Sequence, residues 1–276
     1  MVSVVSDVAF DAKGVAAEFV KARRSAGSLA KYPGSPPPDL AAAYRCQDEA
    51  IAAWDDTIAG WKVGWIPEPH STTFDAQRLV GPIFARTVQR VPPGHVQDAG
   101  VFAQGFAAIE AEFVFQLAKD APAGVTEWTA ETARRFVRTL YIGIEIASSP
   151  LQNINDYGPA VVASDFGNNA GLLLGPEIVD WQTRALESMN CETRIDGNVV
   201  GRGSAANVSG GPLTALAFAL RVNALRGRPL KAGDFVSTGA ATGVHSIQAG
   251  QSAEAIFTGL GSLRCRAMPM SPSVPP

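Results

Sequence analysis

The chain has 276 residues, with 23 Lys and Arg against 26 Asp and Glu and a formal net charge of −3. That length supports one large domain or a main domain with a smaller appendage. The near-neutral charge, without any Lys/Arg cluster, excludes the electrostatic footprint of a nucleic-acid or anionic-membrane binder and points to a small-molecule partner.

Cys46, Cys191 and Cys265 are far apart, odd in number and free of C-x-x-C spacing. Neither a disulfide framework nor a zinc site is expected, and the thiols read as reduced core residues of a cytoplasmic protein. The opening MVSVVSDVAFDAKG lacks a basic segment followed by a sustained apolar one, and no apolar run approaches the roughly 18 residues of a membrane span. The expectation is a protein neither exported nor embedded in a membrane.

In chain order, Val15, Ala16, Phe19 and Val20 make one helical apolar stripe. A proline-rich linker, GSPPPD, precedes a second stripe of Leu40, Tyr44, Ile51 and Trp54. These predict a small N-terminal helical unit over 1–59. From Gly60 the sequence turns to short runs rich in Val, Ile, Phe and Thr broken by Gly and Pro, the signature of strands and turns. Strands are expected at 61–66, 83–91, 107–117, 140–147, 171–174, 189–195, 198–203, 235–238, 252–257 and 262–267, with Asp196-Gly197 as a two-residue hairpin. Helices are expected at 129–139 and 212–226, the latter bounded by Pro212 and Gly227. The body at 60–268 is therefore β-rich, followed by a frayed tail at 269–276. The class is α+β with a mixed or antiparallel sheet system, because the regular strand–helix alternation of a doubly wound fold is missing.

Three acidic side chains interrupt the apolar strands. In IEAEFVF, Glu110 and Glu112 share one strand face about 7 Å apart, while Ile109, Ala111, Phe113 and Phe115 share the other. In LYIGIEIA, Glu145 faces away from Leu140, Ile142, Ile144 and Ile146. Each also reads as a solvated strand face. If the three meet, they cannot all stay ionised without a compensating cation, and an all-oxygen donor set favours Mg²⁺ or Mn²⁺ with a chelating 2-oxo or 2-hydroxy carboxylate. Lys62 in GWKVG is either a snorkelling edge residue or a partly desolvated proton donor beside such a substrate.

Taken together, GWKVG, LVGPIF, IEAEFVF, GIEIA, VVASDFGNNAGLLLG, LKAGDFVSTGAATGV and FTGLGSLRCR resemble the fumarylacetoacetate hydrolase superfamily, in its 2-keto-4-pentenoate hydratase and oxalocrotonate decarboxylase branch. The resemblance covers about residues 51–266 and implies a β-rich mixed sheet sandwich or roll of that family's C-terminal-domain type, assembled as a homo-oligomer. It implies Glu110, Glu112 and Glu145 as ligands of Mg²⁺ or Mn²⁺ and Lys62 as the active-site lysine. It implies that Lys62, Asp165, Thr238 and Gly239 contact substrate. The implied activity is a metal-dependent lyase, a hydratase of a 2-hydroxy-dienoate or 2-oxo-enoate such as 2-keto-4-pentenoate in aromatic catabolism. A 2-oxo-diacid decarboxylase, an acylpyruvate-type C–C hydrolase and a catalytically silent 2-oxo-acid-binding relative are the alternatives. The chain departs from the branch after Glu145, where IASSPL stands in place of an Asp-Ser-Arg segment, and in WIPEPHSTTFD, where residues 65–74 with His70 suit a lid.

Overall fold

The computed structural model describes residues 10–272. Its helices are α1 (Ala12–Arg24), α2 (Leu40–Ala53), α3 (His70–Thr73), α4 (Ala130–Arg134), α5 (Pro159–Ser164) and α6 (Pro212–Leu225). Its strands are β1 (Ile58–Trp65), β2 (Arg78–Phe84), β3 (Val88–Arg90), β4 (Val96–Val101), β5 (Phe106–Leu117), β6 (Val137–Ser149), β7 (Asn169–Glu177), β8 (Asn190–Ile195), β9 (Asn198–Ser204), β10 (Phe235–Ser237), β11 (His245–Ser246), β12 (Ser252–Phe257) and β13 (Gly261–Pro269). The α+β class with mixed sheets is as expected.

Two sheets carry the structure. The larger runs β2-β1-β10-β5-β6-β7-β3, with β11 also on β5, and the smaller runs β4-β13-β12-β8-β9. The alternation in β5 explains how they meet. Ile109, Ala111, Phe113 and Phe115 point into the main core, which they share with Ala253, Ala255, Phe257, Leu263 and Cys265 of the smaller sheet. Phe113 and Phe257 touch edge to face with ring centroids 5.4 Å apart, a geometry that aromatic quadrupoles favour. The opposite face of β5, with its two glutamates, points away from that core. Asp196 and Gly197 both take positive φ, 49° and 79°, as the two-residue turn between β8 and β9 requires.

The N-terminal helices form around their apolar stripes and their caps. Asp11 accepts a hydrogen bond from the Gly14 amide at 2.9 Å, and Asp39 accepts one from Ala42 at 2.6 Å. Val15, Phe19 and Val20 then join Phe84, Ile154, Val161 and Phe166 in one buried cluster. Gln47 of α2 donates to the carbonyls of Val80 at 3.0 Å and Ala163 at 2.7 Å. The helical unit seen in the sequence thus shares a core with the strands that follow it.

Several elements differ from expectation for physical reasons. The strand at 83–91 is two strands, because a short turn at Ala85–Thr87 breaks the run. The helix expected at 129–139 stops at Arg134 and the chain enters β6 at Val137, where pairing with β5 overrides a weak helical pattern. α5 is too short to show periodicity, and β4 is an edge strand of mixed polarity, VQDAGV, that pairs parallel with β13. The expected tail begins later than residue 269, since Met270 still donates to the Val101 carbonyl at 2.8 Å. Residues 273–276 of that tail, and 1–9 of the N-terminal unit, lie outside the described residues.

Candidate active site

Strand register brings the three glutamates together. β5 and β6 pair antiparallel with Glu110 opposite Glu145 and Glu112 opposite Gly143, so all three carboxylates share one face. One oxygen from each lies within 4.8 Å of the others. Exposure is 6% for Glu110 and 0% for Glu112 and Glu145, which removes the solvated-face reading. Like charges directly opposite on a ladder repel, so this register is unfavourable until something cationic joins it. β1 and β10 deliver Lys62 to the same face through the pairing of Lys62 with Ser237.

Each charged group has a defined support. Glu112 Oε2 accepts hydrogen bonds from Ser237 Oγ at 2.6 Å and from the Gly239 amide at 2.8 Å. Glu145 Oε1 accepts one from Asn169 Nδ2 at 2.9 Å. Lys62 Nζ donates to Asn168 Oδ1 at 3.3 Å and stands 3.0 Å from Glu145 Oε2. Glu145 Oε2 has that ion pair and no hydrogen bond, and Glu112 Oε1 is buried with no hydrogen-bond partner.

The electrostatics follow from burial. Glu110 is pushed up to about 7, chiefly by burial, with Glu145 adding to the shift and Lys62 opposing it. Burial raises Glu112 well above the usual carboxylate range, and the charges of Glu145 and Glu110 raise it further. For Lys62, burial disfavours the ammonium, but Glu145, Glu110 and Glu112 outweigh it and hold the group above its ordinary value. Three carboxylates against one ammonium leave an excess of two negative charges. Two carboxylate oxygens that accept no hydrogen bond, in an all-oxygen set, are the donors a hard divalent cation takes, so the residues fit Mg²⁺ or Mn²⁺.

A cavity of about 430 Å³ opens onto this cluster, with Lys62, Glu110 and Asn168 at its inner end. Trp65, Ile66, Leu79, Pro159, Val162 and Val244 give it apolar walls, and His70 and Asn155 add polar groups. The segment expected as a lid therefore does border the cavity, through Trp65, Ile66, Pro67 and His70.

Other expected site residues do different work. Asp165, expected to contact substrate, is 1% exposed and takes an ion pair from Arg23 of α1 at 2.5 Å and a hydrogen bond from Ser149 at 2.6 Å. Arg23, a cation from outside the strand motifs, engages both its oxygens, and Asp165 does not line the cavity. Thr238 gives its hydroxyl to the Phe113 carbonyl at 2.7 Å, and Gly239 gives its amide to Glu112. The VSTGA turn therefore supports a glutamate rather than lining the cavity, whose wall here is Ala240, Gly243 and Val244. Sequence reading missed Ser237, Asn168, Asn169 and Arg23. Nothing in the sequence marked the first three, since Ser237 ends β10, Asn168 lies in the turn before β7 and Asn169 opens β7, places where polar residues are ordinary.

The Fumarylacetoacetate (FAA) hydrolase C-terminal family model matches residues 79–267. The chain is 29% identical over 157 residues to a 4-oxalocrotonate decarboxylase of Pseudomonas sp, covering 56% of this chain and 58% of that protein, so the match spans less than two thirds of that relative. It is 29% identical over 235 residues to 2-keto-4-pentenoate hydratase 2 of Dechloromonas aromatica (strain RCB), covering 82% of this chain and 85% of the relative. The fold is shared with 4-oxalocrotonate decarboxylase from Pseudomonas putida G7 complexed with magnesium and adipate, with a TM-score of 0.78, 20% identity, and 93% and 97% of the two chains covered. With more than half of its length matched and the same fold, the chain belongs to the fumarylacetoacetate hydrolase C-terminal family.

Proposed function

We propose that the protein is a Mg²⁺- or Mn²⁺-dependent lyase that hydrates a 2-hydroxy-dienoate or 2-oxo-enoate. One observation carries this reading: three buried carboxylates, two of whose oxygens accept no hydrogen bond, lie beside a buried ammonium at an apolar-walled cavity. Glu110, Glu112 and Glu145 would hold the cation, which would supply Lewis acidity for a 2-oxo acid. Lys62 enters as an ammonium, oriented by Asn168 and by the Glu145 charge. It gives its proton to the terminal carbon of the dienol and is recharged by the proton leaving the 2-hydroxyl. Water then adds across the alkene conjugated to the 2-oxo group, hydroxyl to the far carbon and proton to the near one. The apolar walls hold the substrate chain and keep bulk water from the reacting atoms.

The remote wall favours hydration over decarboxylation of a 2-oxo-diacid. Lys62 is the one Lys or Arg side chain among the lining residues, so a second carboxylate away from it would meet apolar walls such as Trp65, Leu79 and Val162 with no fixed cation. Burying a charge there without a partner is costly. A monocarboxylate with an apolar tail fits. Assays of 2-hydroxypenta-2,4-dienoate, a 2-oxo-diacid and an acylpyruvate with Mg²⁺ test this. The monoacid is expected to turn over at least about tenfold more efficiently, a difference of roughly 1.4 kcal/mol. Faster CO₂ release from the diacid or C–C cleavage of the acylpyruvate would reassign the reaction, and metal binding without turnover of any of them would mark a silent relative.

This reading also places the protein in the cytoplasm and in the breakdown of aromatic compounds, as a homo-oligomer. Three buried, unpaired cysteines support a reducing compartment, and no helix among the described residues is long and apolar enough to cross a membrane. Leu225 at 61% and Val244 at 56% exposure are apolar surface that a partner copy would cover, which light scattering on the purified protein checks.

A further inference from the structure

We propose that Arg23, on the first helix and outside the residues matched by the family model, is a positioning residue for the metal centre, acting through the loop 165–169. Its guanidinium spends every donor group on that loop and its surroundings. Nε and Nη2 grip the two carboxylate oxygens of Asp165 at 2.5 and 3.0 Å, Nη2 also reaches the carbonyls of Asp165 and Ser148 at 3.2 Å, and Nη1 reaches the Asn169 carbonyl at 3.0 Å. The planar fork matches such a set where a lysine would not. The guanidinium also lies over the rings of Phe166 and Phe102, 5.0 and 5.5 Å from their centroids.

What Arg23 holds is a conformation the loop would not keep unaided. Phe166, Gly167 and Asn168 take φ of 54°, 61° and 55° in succession. Two of these residues are not glycine, and the left-handed region is unfavourable for a bulky side chain such as Phe166. The same loop is pressed against β2, where a Cβ on Gly81 would collide with the Phe166 carbonyl. The strained turn has a use: it ends in Asn168, which holds Lys62, and Asn169, which holds Glu145. Arg23 therefore reaches a metal-ligand carboxylate and the active-site lysine through one loop, gripping Asp165 at its start and the Asn169 carbonyl at its end. Groups bonded directly to metal ligands, as Asn169 is, typically change metal affinity by about 10- to 100-fold, and Arg23 acts on that group one contact further out.

The inference rests on the three glutamates being a cation site, and Mn²⁺ binding by the full chain tests both separately. Binding is followed by calorimetry, with thermal unfolding recorded alongside. Arg23→Lys, which keeps the charge but loses the fork, is expected to fold and to bind Mn²⁺ about 10- to 100-fold more weakly. Ser149→Ala, which removes one hydrogen bond from Asp165, is expected to bind it a few-fold more weakly. Val15→Ala, which trims apolar packing of the same helix and removes none of the loop's hydrogen bonds, is expected to melt earlier with unchanged Mn²⁺ affinity. Wild-type affinity in folded Arg23→Lys overturns the proposal, as does wild-type affinity in Ser149→Ala should Arg23→Lys fail to fold. Equal loss in Val15→Ala also overturns it, because the effect would then be general stability. Absence of Mn²⁺ binding in the wild type removes the cation site itself.

Discussion

Lys62 and Glu145 are buried and face each other at 3.0 Å, and Lys62 and the glutamate cluster should respond differently to substitution. Lys62→Met removes the proposed proton donor and leaves the carboxylates in place. Turnover is expected to fall by about 100- to 10,000-fold while Mg²⁺ affinity is kept, and near-normal turnover would make Lys62 a structural residue. Glu112→Gln removes a ligand charge but keeps its shape and its contacts to Ser237 and Gly239; Mg²⁺ affinity by calorimetry should fall at least about tenfold, and unchanged affinity would move the site elsewhere. The acidic members also set a pH dependence. Glu110 keeps its proton up to about 7 in the metal-free fold, against an ordinary value of 4.5. Between those values the unfolded chain has released a proton that the fold retains, so stability of the metal-free protein falls as pH rises through this window. A cation takes the ionised form, so its affinity rises with pH up to about 7 and binding releases protons. Calorimetry in two buffers of different ionisation enthalpy measures that release, and an affinity flat between about pH 6 and pH 8 would contradict it. At this scale the glutamates and Lys62 were legible because a charge inside an apolar strand is conspicuous. Asn168, Asn169 and Ser237 were not, since neutral polar residues reveal their role only through the partner they meet, and that partner is distant in sequence.

At the scale of elements, β5 and β6 were legible because alternation fixes which face each residue occupies, and one buried face fixes the register. The glutamate cluster is a consequence of that register: a slip by one residue would turn Glu110 and Glu112 toward Phe257 and into the main core. The two sheets depend on the same contact, so Phe113→Ala is expected to cost about 3–5 kcal/mol in urea unfolding; a loss under about 1 kcal/mol would mean that the sheets hold together elsewhere. α4 was read too long and α5 was not read at all, since a helix of five or six residues lacks the turns over which periodicity shows itself. α3 belongs with these short pieces. None of its residues is buried, yet it carries His70 at the cavity wall. An element with so little burial opens at low cost, so oxalate with Mg²⁺ is expected to slow amide exchange across residues 66–74, and unchanged exchange there would remove the lid role.

At the scale of the whole molecule, the family match at 79–267 covers the carboxylates but leaves out Lys62, the cavity wall from Gly64 to His70, and both N-terminal helices. The composition shift at Gly60 suggested a boundary, and in sequence it is one: helical stripes before, strands after. In space it is not a gap. Phe19 and Val20 of α1 share a buried cluster with Phe84 and Phe166, and Arg23 and Gln47 place hydrogen bonds across the same seam. Sequence shows the change of element type but cannot show which apolar face covers which, because that depends on contacts more than a hundred residues apart. Elements that bury their apolar faces against each other unfold together, so the full chain is expected to melt in one transition with a calorimetric to van't Hoff enthalpy ratio near 1. Removing residues 1–56 would expose Phe84, Ile154, Val161 and Phe166 to water. The remaining chain is expected to aggregate or to lose Mg²⁺ binding along with the loop that α1 holds. Two resolved transitions, or a stable truncated chain with wild-type Mg²⁺ affinity, would establish instead that the strands build the metal centre alone and that the N-terminal helices are an independent unit.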